Sequence, residues 1–279
     1  MSIDTSDATL HPTDSRSVLI GPGLPPSALP GMAGLTNVRS HAWGWSAEGE
    51  GSAAPLADHA VVTGWLANQP PKLVVLDVDA TLVTGETIDL LAERAGAGEQ
   101  VAAITQRAMN GELEFAQALA ARVETLAGLP VEALDEVRHG LEFSPGAREL
   151  VEAVHATGGK VAIVSGGFIE IVAKLAETLS IDFAAANTLE VADGVLTGRT
   201  LGPVVDRAAK ARKLLEFAAG IGATPDQAVA IGDGANDLDM MGVAGLGIAY
   251  CAKPAAAAQA DATISFPRLD AALGYLQLG

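Results

Sequence analysis

From Lys72 onward the chain repeats one device: a short apolar run closed by polar residues, then a helical pattern. Lys72-Leu-Val-Val-Leu-Asp77 is the first instance, Lys160–Val164 before Ser165-Gly-Gly167 the second, and Ala228–Ile231 before Asp233-Gly-Ala-Asn-Asp237 the third. Nearly continuous apolar runs of this length read as buried parallel strands, with function at their carboxyl ends. Further strands are expected at Leu246–Ala249 and Ala262–Ser265, and a hairpin over Asn187–Thr200 turning at Asp193-Gly194. Helices are expected at Gly146–Ala156, Phe168–Leu179, Asp206–Ala219, Asn236–Met241 and Pro254–Gln259. Alternating strand and helix predicts an α/β fold, a doubly wound parallel-sheet core.

Between the first strand and the rest, four helical patterns follow one another: Glu86–Ala95, Glu99–Asn110, Glu112–Leu126 and Val131–His139. Glycines at 96, 111, 128 and 140 separate them. They read as an insertion, a helical cap at about 84–142 set over the carboxyl edge of a core spanning 72–279. Residues 1–71 differ in kind, holding all three tryptophans (Trp43, Trp45, Trp65) and three of the five histidines, and ending at Pro70-Pro71. They read as a small N-terminal extension or subdomain of unknown role, with a short strand at Ser17–Ile20 and a helix over Ala60–Asn68. His11, His41 and His59 are too scattered for a metal site and read as surface or turn residues.

Charge and cysteine usage narrow the function. Seventeen Lys+Arg against thirty-four Asp+Glu give −17, which argues against nucleic-acid or anionic-membrane binding, since both need clustered positive charge. One cysteine, Cys251, forms no internal disulfide, and the composition reads as cytoplasmic. The start is acidic and polar, unlike a basic leader. The neutral stretch from Ser17 to Val38 is interrupted by Pro22, Pro25, Pro26 and Pro30, so no membrane span is expected there.

In an open α/β sheet, polar groups that follow the strands converge on one crevice. Asp77 and Asp79 stand two apart, and close carboxylates repel unless a cation lies between them or one is protonated. Asp233 and Asp237 add oxygen donors, and a site without Cys or clustered His points to Mg²⁺. A carboxylate beside such an ion can attack phosphorus, while its neighbour serves as acid and then base. Gly166 and Gly167 let backbone N–H groups approach an anion at a helix start, and Lys210 offers a point charge suited to phosphate. Each residue taken singly has a plainer reading: an Asp as N-cap or turn, Lys210 as a solvated helical charge.

The order DVDAT, SGG, helix Lys, GDGAND resembles the haloacid-dehalogenase-type phosphatase superfamily. The likeness is greatest to its members that hydrolyse O-phospho-L-serine, carried by Asp77–Glu86, Ile104–Pro130, Ser165–Phe168, Ala186–Glu190, Ala230–Met241 and Tyr250–Pro254. It runs from about Leu73 to the C-terminus. The resemblance implies a Rossmann-like core, with Asp77 as nucleophile and Asp79 as acid and base. It implies Mg²⁺ held by Asp77, the Asp79 carbonyl and Asp233, with Asp237 supporting. It implies a phosphoryl group held by Ser165, Gly166, Lys210 and Asn236. Glu86 would face the substrate ammonium and Arg122 its carboxylate, with Met109 and Phe115 shaping the pocket. Glu86 and Arg122 also fit plain surface helix charges, and Met109 and Phe115 plain core positions. Ala80 departs from the usual serine, and residues 1–71 show no likeness to the amino-acid-binding domains many bacterial relatives carry.

The implied activity is Mg²⁺-dependent hydrolysis of O-phospho-L-serine through an aspartyl phosphate, in serine biosynthesis. The alternative is a related phosphatase or phosphotransferase acting on another small phosphomonoester. A non-catalytic amino-acid-binding module is disfavoured by the retention of both Asp77 and Asp79. Neither nucleic acid nor membrane is expected as a partner, and apolar cap or N-terminal surfaces would support a homodimer.

Overall fold

The computed structural model describes residues 14–23, 35–49, 57–276 and 278. The chain opens with strands β1 (Ser15–Gly21), β2 (Thr36–His41), β3 (Gly44–Glu48) and β4 (Asp58–Thr63), then a single helical turn, α1 (Trp65–Asn68). The strands form an antiparallel sheet in the order β2-β3-β1-β4. The helix expected over 60–68 is thus a strand followed by one turn. Residues 60–63 alternate buried and exposed and pair with β1, and Gly64, at φ +61, ends the strand. His41 and His59 lie on strands rather than turns; His41 stacks on Trp43 and bonds the Ser46 hydroxyl, and His59 bonds that of Ser17. His11 falls outside the described residues.

The second sheet begins with β5 (Leu73–Leu76), whose four residues are all fully buried. Helices α2 (Thr87–Arg94), α3 (Gly98–Met109), α4 (Phe115–Glu124) and α5 (Glu132–Gly140) follow. Then come α6 (Ala147–Ala156), β6 (Lys160–Phe168), α7 (Ile169–Leu179), β7 (Phe183–Ala192), β8 (Val195–Leu201) and α8 (Arg207–Gly220). The chain closes with β9 (Ala228–Gly232), α9 (Leu238–Val243), β10 (Leu246–Tyr250), α10 (Pro254–Ala257), β11 (Ala262–Ile264) and α11 (Ala272–Leu276). The sheet order is β11-β10-β9-β5-β6-β7-β8, with only β8 antiparallel to its neighbour. Asp193 and Gly194, at φ +51 and +80, supply the double positive φ that the tight β7–β8 hairpin requires. Because the chain leaves β5 for β6 on one side and returns to β9 on the other, the sheet's switch point lies at the end of β5.

Two packed apolar clusters account for the layers. One joins Val74, Leu76, Ile163 and Ile231 on one sheet face to α2–α7 and the N-terminal sheet; the other joins Leu73, Val75, Val164 and Ala230 on the opposite face to α8 and α9. The segments entering and leaving α2–α5 are themselves bridged, Val83 to Phe143, with the Ser144 amide donating to the Leu82 carbonyl. The N-terminal sheet is fastened to the second: Asp58 accepts from the Ser265 amide (2.7 Å) and the Thr263 hydroxyl (3.0 Å), and Arg16 donates to the Tyr275 carbonyl (2.6 Å). Among the described residues, no helix is long and apolar enough to cross a membrane.

Candidate active site

A cavity of about 530 Å³ lies between α2–α4 and the carboxyl ends of β5, β6 and β9. Asp77, the first residue beyond β5, is 3% exposed, and its hydrogen bonds fall on Oδ1, which accepts from the Val78 amide and the Lys210 ammonium, each at 2.7 Å. Its Oδ2 takes no hydrogen bond among the described residues, on a side chain that lines the cavity. Two residues on, just before the backbone swings to φ +54 at Ala80, Asp79 is turned toward α2. Its Oδ1 accepts from the Thr87 amide at 2.8 Å and its Oδ2 from the Ser165 hydroxyl at 3.2 Å.

Lys210 is not a solvated helix charge. It is 1% exposed, and its Nζ lies 2.7 Å from Asp77 Oδ1 and 2.6 Å from Asp237 Oδ1. Burial opposes the ammonium charge, but the two carboxylates outweigh it, so the pKa sits above the usual lysine range. Burial pushes the Asp77 carboxyl well up, against Lys210, and Asp237 and Asp79 push the same way. Burial also raises Asp79, against hydrogen bonds from Thr87 and Ser165. A carboxyl that keeps its proton is what an acid catalyst needs.

Ser165-Gly-Gly does not open a helix as expected. It extends β6 through an irregularity in its pairing with β7, and α7 begins only at Ile169. The Ser165 hydroxyl accepts from the Gly167 amide at 2.7 Å, holding the loop closed. The glycines serve close approach: a Cβ on Gly167 would lie 2.8 Å from Thr87 Oγ1 and 3.0 Å from Asp79 Oδ2, and one on Gly166 would lie 3.1 Å from the Phe115 ring. The expected Asn236–Met241 helix is present as a tight helical turn at Ala235–Asp237 that runs into α9.

Asp79, Glu86, Met109, Phe115, Arg122, Gly166, Asp233 and Asn236 all line the cavity with Asp77, whereas Ser165, Lys210 and Asp237 sit directly behind its wall. Met109 is 63% exposed, at the mouth rather than in a core. Three participants were given no role by the sequence, although Asn187 and Lys253 fall within stretches that carry the resemblance. Thr87 holds Asp79 through its amide. Asn187, buried on β7, donates to the Gly166 carbonyl and accepts from the Val205 amide, each at 2.8 Å, tying the glycine loop to the segment that enters α8. Lys253 lines the rim.

One carboxylate oxygen from each of Asp77, Asp233 and Asp237 lies within 4.8 Å of the others. Burial, then repulsion from Asp237, raises the Asp233 carboxyl to about 6. A crowded set of hard oxygen donors with one buried ammonium as counter-charge fits a divalent metal ion. Asp237 already accepts from Lys210 and from the Gly234 amide, one bond on each oxygen, which leaves Asp77 and Asp233 the freer donors.

Residues 74–242 match the family model of haloacid dehalogenase-like hydrolases. The chain belongs to that family. Two hydrolases it resembles are phosphoserine phosphatase SerB2 of Mycobacterium tuberculosis and the phosphoserine phosphatase of Streptomyces coelicolor. The first is 53% identical over 219 residues, 78% of this chain and 54% of the relative; the second is 50% identical over 225 residues, 81% and 55%. The chain therefore spans about half the length of each of these relatives. A solved structure of a phospho-aspartyl intermediate analogue of phosphoserine phosphatase superposes with a TM-score of 0.70 at 42% identity, covering 75% of this chain and all of that chain.

One pH effect follows from Glu86. Solvent reaches it through the open cavity, yet protein surrounds it: burial raises its carboxyl to about 7, and Asp79, Asp233 and Asp89 add to this against Arg122. Its ordinary value is 4.5, so ionising Glu86 lowers folded-state stability progressively as pH rises from there through about 7. Glu86→Gln is expected to stabilise the metal-free protein by about 0.5–1 kcal/mol near pH 8, after discounting for solvent screening, and not at all near pH 4. Urea titrations in chelator at the two pH values check this, and an equal gain at both would contradict it.

Proposed function

We propose that this hydrolase is a Mg²⁺-dependent phosphomonoesterase that converts O-phospho-L-serine to L-serine and phosphate. The observation that carries the reading is that one cavity holds Asp77 and Asp79 at its floor and Glu86 and Arg122 on its α2 and α4 walls. The substrate's phosphate, ammonium and carboxylate need those three kinds of partner. The relatives that bear the name phosphoserine phosphatase, and the likeness to an aspartyl-phosphate analogue, support it.

In the first step Asp77 Oδ2 attacks phosphorus, the bond from phosphorus to the serine oxygen breaks, and Asp79 gives its proton to that oxygen. In the second, Asp79, now a carboxylate, takes a proton from water. The water oxygen forms a bond to phosphorus, the bond to Asp77 breaks, and phosphate leaves. Lys210 orients Asp77 and favours its ionised form against burial, and its third N–H is left for a phosphoryl oxygen. The Gly166 amide and the Asn236 side chain serve the same group, and Ser165 steadies Asp79. Mg²⁺, held by Asp77, the Asp79 carbonyl and Asp233 with Asp237 in support, would neutralise charge developing on the phosphoryl oxygens. Glu86 takes the ammonium, Arg122 takes the carboxylate as a planar fork, and Phe115, packed over Gly166, closes the site against bulk water. The single exposed cysteine suits a reducing cytoplasm.

Glu86→Gln and Arg122→Ala are each expected to cut kcat/KM for phosphoserine about 10²-fold while changing p-nitrophenyl phosphate hydrolysis less than about 3-fold. Equal losses on both substrates would remove the two residues from substrate recognition.

A further inference from the structure

The catalytic groups meet the phosphoryl group at the floor of the cavity, and the approach to them poses a separate electrostatic problem. Five carboxylates line it (Asp77, Asp79, Glu86, Asp89 and Asp233) in a chain of net charge −17, yet a phosphomonoester must enter as a dianion. Lys210 lies behind the wall, already paired with two aspartates. Among the described residues the lining holds two cations, Arg122 on α4 and the exposed Lys253.

Lys253 is exposed, and among the described residues its ammonium makes no hydrogen bond or ion pair, whereas most other lysines are committed: Lys160, Lys174, Lys210 and Lys213 to carboxylates, Lys72 to the Trp65 ring. Its backbone is fixed where it stands. Pro254 follows it and favours the extended conformation found (φ −63°, ψ 148°), and its carbonyl accepts from the amides of Ala256 (2.9 Å) and Ala257 (3.0 Å). A fixed backbone thus presents a free, flexible positive charge on the exposed lining of the cavity.

We infer that Lys253 captures the phosphoryl dianion at the cavity mouth and offsets the field of the carboxylates on its way in. The inference rests on the phosphomonoesterase reading but not on serine as the leaving group. A point charge that acts at entry changes kcat/KM more than kcat, and does so through a field that salt screens.

The test compares wild type, Lys253→Gln, Lys253→Glu and Lys253→Arg, with Lys174→Gln as a control for net charge, in Mg²⁺ at about 0.02 M and about 0.5 M salt. At low salt, kcat/KM for both phosphoserine and p-nitrophenyl phosphate is expected to fall about 3-fold in Lys253→Gln and about 10-fold in Lys253→Glu. It should hold in Lys253→Arg and Lys174→Gln, stay within about 2-fold for kcat throughout, and the losses should shrink at high salt. Losses confined to phosphoserine would assign Lys253 to the amino-acid end of the substrate and overturn phosphoryl capture. So would losses in kcat that salt leaves untouched, or no loss at all. Should wild type cleave only p-nitrophenyl phosphate, the serine reading fails and the Lys253 comparison is decided on that ester. Should it cleave neither, calorimetric binding of inorganic phosphate in Mg²⁺ decides it: affinity weakened in the same order supports the inference, and equal affinity overturns it.

Discussion

Asp77→Asn protein is expected to release phosphate at less than roughly a thousandth of the wild-type rate while staying folded. The argument is one of near-identical shape. An asparagine can place its oxygen where Asp77 Oδ1 accepts from the Val78 amide and Lys210, so the local bonding survives. What then faces the cavity is an amide nitrogen in place of Oδ2, and that nitrogen is not a nucleophile at phosphorus. The substitution also removes one of the carboxylates that crowd the metal-fitting cluster. Circular dichroism and a melting curve should match wild type closely, with the loss confined to turnover. Activity within about tenfold of wild type would mean that water, not Asp77, attacks phosphorus.

The second large effect belongs to Lys210. Lys210→Met keeps the length and apolar stem but strands Asp77 and Asp237, both nearly or fully buried, without a counter-charge. Leaving a buried charge unpaired costs about 3–5 kcal/mol, far more than the net worth of an intact pair. The loss should be greatest in chelator near pH 8. It should shrink as pH falls and Asp77, its carboxyl pushed further up without the lysine, takes up a proton, and Mg²⁺ should recover part of it. Urea titrations under those conditions check the prediction. A loss under about 1 kcal/mol at pH 8 would mean that the buried ion triad does not exist in solution.

How much of this was readable beforehand depended on the kind of residue. The parallel strands were legible because β5, β6 and β9 are buried on both faces and so read as unbroken apolar runs. Asp77, Asp79 and Asp233 were legible only together: each acid alone reads as an N-cap or turn, but polar clusters after successive strands converge on one crevice. The N-terminal sheet was not: Asp58–Thr63 buries alternate residues, but its sequence, DHAVVT, runs two polar, three apolar and one polar and so lacks the period of two that marks a strand. The reach of β6 to Phe168 was hidden because glycines argue for a turn unless a neighbouring strand continues beside them, as β7 does. The burial of Lys210 was invisible because it depends on Asp77 and Asp237, which the sheet, not the sequence spacing, brings to it. Thr87 and Asn187 act through hydrogen bonds to backbone or from it, and neutral polar residues doing so leave no periodic signature.

The measurement that bears most directly on the central claim is phosphate release from O-phospho-L-serine with and without Mg²⁺, beside D-phosphoserine, phosphothreonine, a sugar phosphate and p-nitrophenyl phosphate. The account predicts Mg²⁺-dependent release that strongly favours the L-isomer of phosphoserine and is absent in Asp77→Asn. Release that favours the sugar phosphate, or that treats all the esters alike, would leave the chemistry of Asp77 and Asp79 standing and contradict the substrate. Release from phosphoserine that proceeds unchanged in chelator would contradict the metal.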